Sequence, residues 1–99
     1  MKTVVQATSK TTSVELNWYE GKVQTVALTD AADTEFEFTI VSKKARPGCL
    51  IMLTALYPGA GVANVALVSQ TKGSFVVRVS NVGVAAFDDS VEIGFKIYY

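Results

Sequence analysis

The sequence predicts an all-β domain, an antiparallel β-sandwich or jelly-roll-like fold of seven or eight short strands. Three observations carry this. Valine and threonine recur along the whole chain, and such β-branched side chains fit a pleated, half-buried surface. No segment holds an apolar period of 3.6 residues, whereas several alternate with period two. Turn residues punctuate the sequence every ten or so positions. A chain of 99 residues and 10.6 kDa supports one core, and with no room for helices two sheets packed face to face are the packing solution.

The elements follow in order. Val14, Leu16 and Trp18 alternate with Glu15, Asn17 and Tyr19. Glu20, Gly21 and Lys22 then supply a turn before a second run over residues 23–29, so the two read as a hairpin with Trp18 filling the core. Residues 29–33 are loop-like. Beyond them Phe36, Phe38 and Ile40 face inward and Glu35, Glu37 and Thr39 outward. Pro47 and Gly48 break the pattern and predict a surface excursion over residues 42–48. Residues 49–55 are apolar at nearly every position, as in a strand covered on both faces, and residues 57–61 end it. A run over 62–70 and a second over 75–80, joined by Thr71, Lys72 and Gly73, form a further hairpin. Val91, Ile93, Phe95, Ile97 and Tyr99 line one face of a last strand, which places the chain's end inside a sheet.

Charged residues make up only 18% of the chain against 49% hydrophobic, where a typical soluble domain is about 25% charged. Area scaling leaves about 5,500 Å² exposed on a folded monomer of this mass. Such a small surface, short of charge, implies an oligomer or a permanent partner. Nine basic residues balance nine acidic ones, which argues against nucleic acid as a partner. Cys49 is the single cysteine; it reads as a small core hydrophobe, permits no intrachain disulfide and fits assembly in a reducing cytoplasm. Met1 to Gln6 read as a true start without a secretory h-region, and no run approaches the roughly 18 apolar residues of a membrane-spanning helix.

The chain has no histidine, which removes the usual general base and the commonest metal ligand. Glu35 with Glu37, and Asp88 with Asp89, are the carboxylate pairs a glycosidase would need. Their setting, a solvated strand face and a Ser-flanked loop, reads as non-catalytic. Asp30, Asp33, Asp88 and Asp89 lack the alternating ligand spacing of a calcium loop, and Gly59 and Gly61 are not followed by the Lys-Ser/Thr of a phosphate loop. No catalytic, metal or cofactor-binding residue is therefore assigned, and no cofactor is expected. Arg78 is expected to form a cross-strand ion pair in the territory of Glu92. Lys43, Lys44 and Arg46 form the one basic cluster, either a solvated loop or an ionic contact with a partner. Tyr57 joins them as an aromatic near a strand end, and Phe87 serves either as a core plug or as a partner contact.

The stretch containing Gly73, Phe75, Val77, Arg78, Val79, Asn81 and Gly83, followed by Ala85, Ala86 and Phe87 and then Val91, Ile93, Gly94, Phe95 and Ile97, resembles a β-sandwich module of tailed-bacteriophage virion proteins. The resemblance extends upstream through Phe36, Phe38 and Ile40, residues 49–53, and Gly59 and Gly61. It implies a virion structural protein, either a capsid decoration (cement) protein, often trimeric, or the end of a tail fibre. The absence of a stem, repeats or a coiled coil favours decoration. The resemblance thus implies a homotrimer on the capsid surface with the major capsid protein as partner, assembled in the host cytoplasm without nucleic acid or membrane contact. The alternative is a receptor-binding or tail-fibre module that grips host surface glycan. Residues 1–35 lie outside the resemblance and are expected to form an added hairpin or capsid-binding arm.

Overall fold

The computed structural model describes residues 2–99. It contains eight strands: β1 (Thr3–Val5), β2 (Val14–Glu15), β3 (Glu20–Gln24), β4 (Glu35–Val41), β5 (Leu50–Leu56), β6 (Ala63–Thr71), β7 (Ser74–Asn81) and β8 (Glu92–Tyr98). They form two four-stranded sheets, sheet A in the order β1-β3-β8-β5 and sheet B in the order β2-β4-β7-β6. The all-β sandwich predicted from the period-two runs is the fold observed. Its pairing is mixed: β1 runs parallel to β3 and β2 parallel to β4, and the other pairs are antiparallel.

Alternation places the core. Phe36, Phe38 and Ile40 from β4 and Phe75, Val77 and Val79 from β7 point inward from sheet B. Val23, Ile51, Ile93, Phe95 and Ile97 meet them from sheet A. Phe75 and Phe95 join the layers edge to face, ring centroids 5.3 Å apart, the arrangement the aromatic quadrupole favours. The β6–β7 hairpin forms as the turn residues predict, with Gly73 at φ 93°, a conformation open chiefly to glycine. β8 lies between β3 and β5, so the last strand is interior to its sheet. Tyr99, beyond the end of β8, leaves the inward row and is exposed.

Three expectations are corrected near the start of the chain. Residues 14–19 and 23–29 do not form a hairpin, because β2 joins sheet B and β3 joins sheet A. The chain crosses between the layers at Leu16, which is buried and whose amide makes a last bond to the Val41 carbonyl. Gly21 makes this crossing possible, since a Cβ there would stand 2.4 Å from Leu16 Cδ1. Trp18 is not a core residue either. A tight turn in which its amide donates to the Leu16 carbonyl breaks the alternation, and the indole is 56% exposed. The run over 23–29 is a strand only to Gln24; beyond it Thr25 exchanges two bonds with Val91, its amide donating to the Val91 carbonyl and its hydroxyl accepting from the Val91 amide, and the Leu28 amide donates to the Asp89 carbonyl. The segment over 2–35 supplies β1, β2 and β3 to the two sheets.

The excursion over 42–48 folds back onto the β6–β7 turn, with the Ser42 amide donating to the Gly73 carbonyl and the Gly73 amide to Ala45. Ala45 is buried beneath it, and so is Cys49, whose thiol donates to the Arg46 carbonyl at 3.0 Å.

Candidate functional site

The two outer faces of the sandwich differ in chemistry. Sheet B presents Glu35, Glu37 and Arg78, with Arg78 Nη2 2.7 Å from Glu37 Oε2 and Nε 3.8 Å from Glu35 Oε1. The hydrogen bond to Glu37, then the field of the two carboxylates, raises the Arg78 pKa above its ordinary value. The expected ion pair thus exists with a different partner. Glu92 lies in sheet A, across the sandwich, and pairs with Lys22 at 3.3 Å.

Sheet A presents an apolar row instead. Even-numbered residues of β5 point outward, and Leu50, Met52 and Leu56 are 62%, 55% and 67% exposed. Tyr98 stands opposite Leu50 and Lys96 opposite Met52. At the centre Gly94 leaves a depression of about 290 Å³ bordered by Lys22, Met52, Thr54, Lys96 and Tyr98. The missing side chain matters, because a Cβ at Gly94 would meet Thr54 Oγ1 at 2.7 Å. The expectation that residues 49–55 are covered on both faces holds for the inner face, where Ile51 is buried, and fails for the outer one within this chain. Leu50, Met52 and Leu56 are the residues that reading the sequence for motifs misses. A signal for them exists: residues 47–71 contain no charged side chain.

The five candidate contact residues do not form one site. Lys43, Lys44 and Arg46 sit at one end with three aromatics from distant parts of the chain. The Lys44 ammonium lies 5.6 Å from the Trp18 ring centroid and 5.0 Å from that of Tyr19. Tyr19 in turn packs edge-on against Trp18 at 5.4 Å and Tyr99 at 5.7 Å, and the Tyr99 hydroxyl donates to the Lys44 carbonyl. Asn17 Oδ1 accepts from the Lys43 amide. Arg46, exposed, folds back on its own loop, its Nη1 donating to the Lys43 and Ala45 carbonyls. Among the described residues none of the three cations forms an ion pair.

Tyr57 and Phe87 lie at the opposite end, separated from the basic loop by the length of β5, about 20 Å at 3.3 Å per residue. Their rings meet at 4.8 Å. Phe87 is buried, which makes it the core plug of its two possible roles. The Tyr57 hydroxyl donates to Asp88 Oδ1 at 3.1 Å and accepts from the Asp88 amide at 2.8 Å, and the same Oδ1 accepts from the Ala60 amide. This arrangement ties the loop after β5 to the loop before β8. The other acidic candidates are also engaged locally: Asp30 pairs with Lys10 at 2.9 Å, and Asp89 Oδ1 accepts from the Ser90 amide.

No family model, curated protein or solved structure matches the chain.

Proposed function

We propose that this chain is a non-enzymatic structural protein of a bacteriophage virion. In this reading it decorates the capsid and stabilises the head by laying the outer face of sheet A on the major capsid protein. The observation that carries the docking reading is the uncovered row of Leu50, Met52 and Leu56 beside Tyr98. Each large apolar side chain taken fully from water contributes roughly 1.5–3 kcal/mol, and contiguous apolar patches on small domains mark contact surfaces. The assignment to a capsid rests on the resemblance over residues 36–97. Capsid heads lacking the protein test it. Added back, the wild-type chain saturates the heads and raises the temperature at which they release DNA, because it binds the intact shell in preference to the dissociated one. The L50S/L56S variant folds but leaves most sites empty. Heads that neither bind the wild-type chain nor gain heat resistance sink the reading.

A second reading, host-glycan binding, has its own support in the aromatic end. Trp18, Tyr19 and Tyr99 expose ring surface beside Lys43 and Lys44, and aromatic faces suit the apolar faces of sugars as they suit other ligands with one apolar side. Saturable binding to host cells that W18A abolishes and L50S/L56S leaves intact would establish it in place of decoration.

A further inference from the structure

We infer that two copies of this chain pair edge to edge through β5, antiparallel about a two-fold axis at Leu53, joining their A sheets into one continuous sheet. The inference goes beyond the docking reading, since the pairing needs no shell.

The two sheets have four edge strands, β1, β5, β2 and β6. An unprotected edge strand presents unpaired backbone groups to any other strand, and folded proteins blunt such edges with shortness, charge, proline or bulges. β1 and β2 are three and two residues long. β6 has nine residues but carries a register break between Leu67 and Ser69, and a bulge twists an edge away from pairing. β5 has none of these devices. It runs seven residues in unbroken register against β8, from Leu50 opposite Tyr98 to Leu56 opposite Glu92. It contains no charge, proline or glycine. Its backbone makes no hydrogen bond to any described residue other than those of β8, although β6, the edge strand of the other sheet, runs close beside it without bonding to it. The edge closes only at Cys49, whose carbonyl accepts from Gln70 Nε2 at 2.7 Å.

The occupant follows from the strand's own sequence. Pairing β5 with itself about Leu53 sets Leu50 opposite Leu56, Ile51 opposite Ala55, Met52 opposite Thr54, and Leu53 opposite its copy. No charge faces another, and the formal net charge of zero leaves no overall repulsion between copies. The exposed Ala55 and half-buried Leu53 gain cover, and the large Ile51 meets the small Ala55. The contact is self-complementary, as a two-fold requires. A three-fold ring would need β5 to meet a different edge, and the remaining long one is the bulged β6. The edge therefore favours a pair over the trimer that the phage resemblance implies. In the pair the two apolar rows on the outer A faces become neighbours, which doubles the docking surface.

Sedimentation equilibrium of the chain alone tests this. The expected mass is twice the 10.6 kDa of one chain, and the mass of one chain or of three overturns the inference. Two double variants test the register. M52E/T54K places opposite charges across the two-fold, whereas M52E/T54E places four carboxylates there. Within one copy position 52 faces Lys96, and position 54 borders a depression lined by Lys22 and Lys96, so the surroundings of a single copy favour M52E/T54E and work against the expected order of pairing. The first variant pairs at least about tenfold more tightly than the second, from two cross-strand contacts changed from repulsive to attractive. Equal dissociation constants overturn the register. If neither variant folds by circular dichroism, the wild-type mass decides alone. A wild-type pair that does not bind heads removes the docking reading and leaves the pairing standing.

Discussion

Asn81 shows how one side chain organises a loop region. It is buried, and all four of its hydrogen-bonding positions are used: Nδ2 donates to the Asp30 and Ala85 carbonyls at 3.1 and 2.8 Å, and Oδ1 accepts from the Val62 and Gly83 amides at 3.3 and 3.1 Å. Four segments are thereby joined at the end that also holds Tyr57 and Phe87. Asn81→Asp preserves size but turns an oxygen toward two carbonyls in a buried site. It is expected to lower unfolding stability by about 2–4 kcal/mol, since buried polar groups left unsatisfied cost about 1–3 kcal/mol each, read as a lower urea midpoint with unchanged slope. Arg78 contributes differently. Its pKa is raised above its ordinary value, first by the hydrogen bond to Glu37, so the guanidinium stays charged throughout the neutral range and its own deprotonation weakens the pairing only in strong alkali. Titration of the guanidinium therefore adds no slope to stability between pH 6 and 10, and a urea series across that window with R78K as comparison checks it.

At the scale of elements, the crossing from sheet B to sheet A depends on Gly21 and Leu16 acting together. Gly21→Ala forces the buried Leu16 side chain to move, at an expected cost of about 1–3 kcal/mol. Most of that cost is absent in an L16A background, where the room already exists, and a double-mutant cycle of the two reads the coupling. Additive effects would show that the close approach does not constrain the crossing. The β6–β7 hairpin depends on its turn in the same local way. A Cβ at Gly73 meets nothing within 4 Å, so the expected loss of about 1 kcal/mol in G73A comes from the positive φ alone.

At the scale of the whole molecule, every interior pairing except the β6–β7 hairpin joins strands far apart in the chain, such as Glu20 with Lys96 and Ile40 with Phe75. Closing such loops precedes the contacts that reward it, so stopped-flow refolding is expected in the millisecond-to-second range typical of β-sandwiches. The layers meet at Phe75 and Phe95. Phe75→Ala is expected to remove about 3–5 kcal/mol, a large share of the roughly 5–15 kcal/mol that holds a domain together, and thermal unfolding would read this as a fall of many degrees. A loss under 1 kcal/mol would mean that the sheets are held together elsewhere.

The sequence by itself determined the class and the local faces. The alternation of Phe36, Phe38 and Ile40 and of Phe75, Val77 and Val79, and the glycine turn between β6 and β7, are local consequences of a two-residue period and of one positive φ. The basic loop of Lys43, Lys44 and Arg46 was legible as a cluster for the same reason, because its members are neighbours in the chain. Only the tertiary structure decided which strands pair. A period of two assigns a residue to a face but names no neighbour, so Val14, Leu16 and Val23 read as one hairpin although they divide between two sheets. It also decided that Trp18 and Tyr99 join Tyr19 around Lys44, since these side chains meet only when the link between β2 and β3 and the last residue of the chain both pack against the loop over 42–48. For residues 49–55 the division is sharpest. Apolar residues on both faces suggest that both sides need cover, and the packing of the two layers covers only the inner side, where Ile51 is buried, because one sandwich can cover only the faces that point into its own core.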